Sequence, residues 1–281
     1  MASPLSLYLN RSAQVLRDGT MRVLLMQGAD PPSRAPRTLF TFNSQEDVNQ
    51  IATGCDADIG GTSTAHFELN TNENVNSSIG RQATGVFWGD MRLGVKAGLE
   101  GKLRGGYAGF RNKKRPTLFG ELTEDVTNHR HLTLRLRLGG DPSTHNSYFC
   151  NIQTDGPIST DLWQHRLYFK RRDGGWEDIY HISKPGPICL FCLQIPFDSF
   201  VRTNSGEVSE AQIEMYKERI RTIGISLLGG MSGVGGRYEL GIDTIGIAND
   251  EDIGNYTRGE RLPICVICIH LVDHPVLAVC R

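Results

Sequence analysis

The chain has 281 residues, 39% of them hydrophobic and 22% charged, with a formal net charge of −1. A neutral balance supplies no long-range field to draw in nucleic acid or acidic lipid. The longest apolar stretch, 264–272, contains His270 and falls far short of the roughly 18 residues a membrane span needs.

In chain order, residues 1–38 read as an N-terminal tail ending in a stiff Pro-rich linker, Pro31 to Pro36. No basic start followed by an apolar block is found in 1–30, so no secretory signal is expected. Arg11, Arg17 and Arg22 are spaced by Ser, Leu and Val as in an organelle import segment. Asp18, Asp30 and the lack of an Arg- and Ser-rich run count against one.

Polar and apolar residues begin to alternate at Leu39, Phe40, Thr41 and Phe42. Further strands are predicted at 65–69, 83–88, 107–111, 148–153 and 163–169. The run 131–138 alternates strictly and turns Leu132, Leu134, Leu136 and Leu138 to one face. Residues 221–227 repeat the pattern. In the last strand, Tyr238, Leu240 and Ile242 are even-numbered, whereas Ile245 and Ile247 are odd. One extra residue at Asp243 or Thr244 restores the facing, which predicts a β-bulge. One short helix is expected over 210–219, with Ser209 and Gln212 as a capping box. The basic runs 111–115 and 170–172 read as solvated turns, with a partner patch as the alternative.

Several features imitate active sites. Cys189 with Cys192, and Cys265 with Cys268, form two Cys-x-x-Cys pairs, the second followed by His270 and His274. The gap between pairs is far longer than zinc sites use, and both lie among Ile, Leu, Val and Phe, so no metal is expected. The glycine-rich stretch 229–236 lacks the Lys-Ser/Thr of a phosphate loop and fails the GxGxxG and GxSxG spacings, so it reads as a loop between strands. Asp56 and Asp58 share a strand face and could hold calcium with backbone oxygens; the reading preferred is that Asp58 and Gly60 shape a turn. The eight histidines have no convincing Ser or Cys partner in sequence. Trp88, Trp163 and Trp176 could stack on a sugar ring, but tryptophan in a sandwich is more often core.

Taken as an ordered set, a series of segments resembles the complex I intermediate-associated protein 30 family. They are Phe40-Thr41-Phe42; Asp58 to Ser63 with Gly60 and Gly61; Gly106-Tyr107-Ala108-Gly109; and the strand from Leu132 to Gly140 with Asp141. Then come Tyr148 to Asn151, Trp176 to Ile179, Ile195 to Phe200 with Pro196 and Phe197, Ile223 to Ser226, and Ile242 to Gly246 with Asp243. The set spans about residues 39–248.

The resemblance implies an all-β jelly-roll sandwich, galactose-binding-like and shaped like a carbohydrate-binding module. It implies a non-enzymatic assembly factor that binds intermediates of mitochondrial respiratory complex I, acts as a chaperone beside other assembly factors, and uses no cofactor. It places the protein on the matrix side, without a transmembrane segment and peripheral to the inner membrane. Asp58, Gly60, Gly61, Ser63, Tyr107, Asn151, Trp176, Pro196, Phe197, Asp243 and Gly246 sit at family-motif positions and are read as structural. The expected division is a tail at 1–38, a sandwich at 39–250 and an irregular tail at 251–281.

The chain departs from the family in three places. Residues 181–194 interrupt the passage from Tyr180 to Ile195; the insert is rich in Ile, Cys, Leu and Phe and ends in Gln, as a translated pyrimidine tract followed by CAG would. A retained intron is therefore expected, and a spliced transcript still encoding 181–194 would refute it. The stretch after Gly254 looks equally foreign, and the turn after Gly140 is altered to Asp141-Pro142-Ser143-Thr144-His145-Asn146. The alternatives to an assembly factor are a carbohydrate-binding module, which needs an aromatic platform, and a hydrolase or isomerase, which needs a clustered acid and base.

Overall fold

A computed structural model describes residues 3–26, 33–156, 158, 160–169, 174–179, 195–204 and 207–252. Two antiparallel sheets of seven strands pack face to face. In the first sheet, β11 (Trp176–Ile179), β8 (His131–Gly140), β16 (Gly236–Ala248), β4 (Thr84–Met91) and β3 (His66–Asn70) lie side by side. There, β1 (Arg37–Thr41) pairs with the second half of β16, and β12 (Ile195–Pro196) with the start of β8. The second sheet runs β14 (Glu207–Val208), β13 (Val201–Asn204), β10 (Asp161–Arg166), β9 (Tyr148–Thr154), β15 (Ile220–Leu228), β5 (Tyr107–Asn112), β2 (Ile51–Cys55). A small hairpin, β6 (Pro116–Thr117) and β7 (Gly120–Glu121), stands apart.

Alternation builds the core. Leu132, Leu134, Leu136 and Leu138 are all buried between the sheets, against Phe87, Phe110, Ile152, Ile225 and Leu227. The expected bulge is present: the register of β16 on β8 shifts between Ile242 and Thr244, so Asp243 is the extra residue. Tyr238, Leu240 and Ile242 before it, and Ile245 and Ile247 after it, all reach the core. Without the shift the last two would face solvent.

Two readings are corrected. No α-helix forms over 210–219; only a 3₁₀ turn, Lys217–Arg219, is present. The Gln212 side chain accepts from Arg202 N at 2.8 Å and donates to Arg202 O at 3.0 Å and Ser209 O at 2.7 Å. It thereby extends the edge of β13 instead of capping a helix, and Ile213 and Tyr216 are left exposed. The tail, in contrast, carries a helix, α1 (Pro4–Leu24), with Ser3 as N-cap and Pro4 in the first turn, a favoured start. The insert 181–194, both Cys-x-x-Cys pairs and residues 253–281 lie outside the described residues. The two described cysteines are free thiols, Cys150 buried and Cys55 half-buried.

Candidate functional site: an outward-facing groove on the second sheet

The Asp58–Ser63 segment folds as a clamp around a residue two positions earlier. Asp56 is fully buried and opens a 3₁₀ turn, Asp56–Ile59. Its carboxylate accepts from Ser63 N at 2.8 Å, Ser63 Oγ at 3.0 Å, Tyr107 N at 3.3 Å and also Gly106 N. Asp58 accepts from Cys55 N at 3.2 Å. Gly60 ends the turn with φ 112°, and a Cβ on Gly61 would overlap the Asp56 carboxylate. The two glycines are thus required by a left-handed turn and a close approach. The clamp fixes where β5 begins, and so where Tyr107 stands.

A second buried carboxylate holds the bulge. Asp243 Oδ1 accepts from Asn43 Nδ2 at 2.8 Å and Arg81 Nε at 3.0 Å, and Arg135 lies 3.8 Å from Oδ2. Gly246 follows on β16, opposite Thr38 and Thr133. Trp176 is buried at the sheet edge, donating from Nε1 to Val75 O at 2.9 Å, with the Arg137 guanidinium over its ring. Pro196 pairs with His131 on β12, and Phe197 enters the core. The motif positions therefore form separate structural joints. Tyr107 and Asn151, in contrast, share a cavity.

That cavity is a groove of about 470 Å³ on the outward face of the second sheet. Strand register lines up Ala52, Arg111, Gly224, Asn151 and Gln164 across five strands, with Gly54, Gly109, Ser226 and Phe149 in the neighbouring row. Asn151, which lines the groove, is held by its strand neighbours: Gln164 Nε2 donates to Asn151 Oδ1 at 2.9 Å, and Asn151 Nδ2 to the buried Ser226 Oγ at 2.9 Å. A Cβ on Gly224 would run into the Phe110 carbonyl. The floor therefore stays low, and Tyr107, 43% exposed, rises beside it. Its hydroxyl lies 3.0 Å from where a Cβ on Gly109 would stand. Burial raises this phenol above its ordinary range while Arg111 pulls the other way, so it is a neutral donor at neutral pH.

The groove therefore offers the amides of Asn151 and Gln153, threonine hydroxyls, the Arg111 guanidinium and the exposed Tyr107, with no carboxylate among its lining residues. Sequence reading missed Gln164, Ser226 and Asp56 as partners, because each meets its neighbour only through strand pairing or a turn. None of the three tryptophans lines the groove: Trp163 is in the core, Trp176 is at the far sheet edge, and Trp88 stacks on His66 at 4.4 Å. Among the described residues, no group of three His, Cys, Asp or Glu is placed to hold a metal ion. The 229–236 stretch holds a short helical turn, Gly229–Ser232, pinned by a bond from Gly230 N to Gly106 O at 2.9 Å.

Fold and groove define a jelly-roll β-sandwich with a polar, solvent-open groove on one face. The complex I intermediate-associated protein 30 family model matches residues 40–242, and the chain belongs to that family. It is 31% identical over 231 residues to the Neurospora crassa protein "Complex I intermediate-associated protein 30, mitochondrial", covering 77% of this chain and 75% of that one. Among solved structures, a family 11 carbohydrate-binding module from Clostridium thermocellum, in complex with a mixed-linked tetrasaccharide, aligns at TM-score 0.47 and 11% identity over 78% of this chain and 98% of its own. A carbohydrate-binding module of the β-sandwich superfamily aligns at 0.36 and 9% identity over 76% and 62%.

Proposed function

We propose that this chain is a non-enzymatic assembly factor for respiratory complex I, acting on the matrix side of mitochondria. It binds assembly intermediates and other assembly factors and acts on them as a chaperone. Family membership over 40–242 is the observation that carries this reading. The chemistry of the described residues supports it. The buried carboxylates of Asp56 and Asp243 are occupied by structural partners. Burial pushes the Cys150 thiol far above its ordinary range, away from the reactive thiolate. The working unit is the sandwich at 39–250, with 181–194 inserted into it. Gene deletion tests the function: complex I should fall while the other respiratory complexes keep their levels. A uniform fall, or none, would refute it.

A second reading is favoured by the groove itself. Its row of amides and hydroxyls beside an exposed tyrosine suits a hydroxyl-rich ligand such as a short neutral oligosaccharide. Calorimetry with the best ligand from a glycan array should show Tyr107→Ala weakening binding by about tenfold, or about 1.4 kcal/mol. An array without a hit sinks this reading and leaves the assembly role untouched.

A further inference from the structure

We infer that a small cavity beside Trp163 takes one apolar side chain of a partner protein, from a segment whose flanking residues are Lys or Arg. The stretch 209–216, which forms neither helix nor strand, contributes Ile213 and Met215 to its wall. Trp163, Phe197 and Phe200 supply the rest of the apolar lining. The space is about 220 Å³, below the roughly 300–1,000 Å³ of small-molecule sites and suited to a single anchoring side chain. The wall is held before anything binds: Gln212 is bonded to both backbone groups of Arg202, and Val126 N donates to Lys217 O at 2.9 Å. Ile213 is 50% exposed, and Tyr216, between two lining residues, is 48% exposed. Trp163 is 3% exposed, yet its indole N–H has no acceptor among the described residues. Buried indoles ordinarily find one, so the chain by itself leaves this wall incomplete.

Charge identifies what flanks the anchor. Asp198 and Glu214 also line the cavity, with Lys217 as the one cation there. Residues 207–218 carry Glu207, Glu210, Glu214 and Glu218 against Lys217 alone. The other cations close by are taken. Arg202 pairs with Asp161 at 2.7 Å, Arg219 with Asp155, and Arg130, whose carbonyl accepts from Phe197 N, with Asp250 at 2.9 Å. Among the described residues no such pair neutralises Asp198 or Glu214. An apolar slot in an acidic surround repels acidic segments and draws basic ones, over a Debye length of about 8 Å at physiological salt. The inference deepens the assembly reading and rests on it for the partner's identity: it names the surface that holds the partner and the chemistry of the segment held.

Fluorescence anisotropy with the purified full chain tests the chemistry without any complex I subunit. The probes are labelled nonapeptides: a central phenylalanine flanked by lysines, the same phenylalanine flanked by glutamates, and a central serine flanked by lysines. The first should bind, the other two at least about tenfold more weakly, and added salt should weaken the first. Ile213→Asp, and separately Asp198→Lys with Glu214→Lys, should each lower its affinity by about tenfold. These side chains are exposed, so the thermal midpoint should hold and confirm that the variants are folded. No binding of the first peptide, equal binding of it and either control, or variants that bind like wild type would each overturn the inference. So would a chain that dimerises through this face and becomes monomeric with Ile213→Asp. In cells lacking the gene, the Ile213→Asp chain should restore less complex I than the wild-type chain. Full restoration would overturn the inference and leave the assembly reading standing, whereas a deletion that leaves complex I unchanged would strike the assembly reading and leave the peptide result intact.

Discussion

Asp56→Ala is expected to lower the stability of the sandwich by about 3–5 kcal/mol, read as a fall in the denaturant midpoint at constant slope. The carboxylate is fully buried and satisfies three backbone N–H groups and one hydroxyl. Alanine leaves those buried donors without their acceptor, and each stranded donor costs about 1–3 kcal/mol. Asp56→Asn keeps the shape but turns an NH₂ toward N–H donors, so it should recover only part of the loss. Ser63→Ala removes one contact to Asp56 and the acceptor for Arg92 N, at 3.1 Å, and should cost less. Because the clamp sets the start of β5, Asp56 variants should also disturb Tyr107, visible as an altered amide resonance before global unfolding. An Asp56→Ala protein that melts with wild type would show that the clamp is incidental.

Asp243→Ala is the second large effect, about 2–4 kcal/mol. Removing a fully buried carboxylate takes an ionic partner from Arg81 and Arg135 and one of two acceptors from Asn43, which keeps Ala83 O at 3.0 Å; Arg81 is exposed enough to turn to water, which keeps the cost below that of a fully enclosed pair. Asp243 is also the bulge residue, and its carbonyl accepts from Phe42 N at 3.1 Å. Hydrogen exchange should therefore rise first at Phe42 and along β1. Deleting Asp243 outright should be worse than the alanine variant, because it turns Ile245 and Ile247 away from the core. A deletion tolerated as well as the substitution would show that the bulge does not set the register.

The sandwich was readable because burial on one face writes a two-residue period into the chain, strongest in β8. The bulge was readable because an inserted residue moves the apolar face of a strand from even to odd positions, as happens between Ile242 and Ile245. Short edge strands left no such trace. In β2 the pattern Ile51-Ala52-Thr53-Gly54-Cys55 alternates weakly, and none of its residues is fully buried. The helix expected at 210–219 failed because a capping pattern records only which bonds Gln212 could make; a strand edge at Arg202 competed for the same amide and won. In α1 the Ser3-Pro4 start and the leucines at 5, 9 and 16 carried the signal, but the leucines face outward and so resemble neither a core helix nor a solvated one. The groove was illegible for a different reason. Tyr107, Asn151, Gln164 and Ser226 come from four strands, and only the register across β5, β15, β9 and β10 brings them together.

The proposed role is that of a sandwich without chemistry of its own, which holds parts of complex I during construction. Affinity purification of the tagged full chain from mitochondria, with the retained proteins identified, tests it most directly. Complex I subunits caught before the complex is complete, together with other assembly factors, are the predicted catch. A preparation devoid of complex I subunits, or one carrying only the finished enzyme, would contradict it.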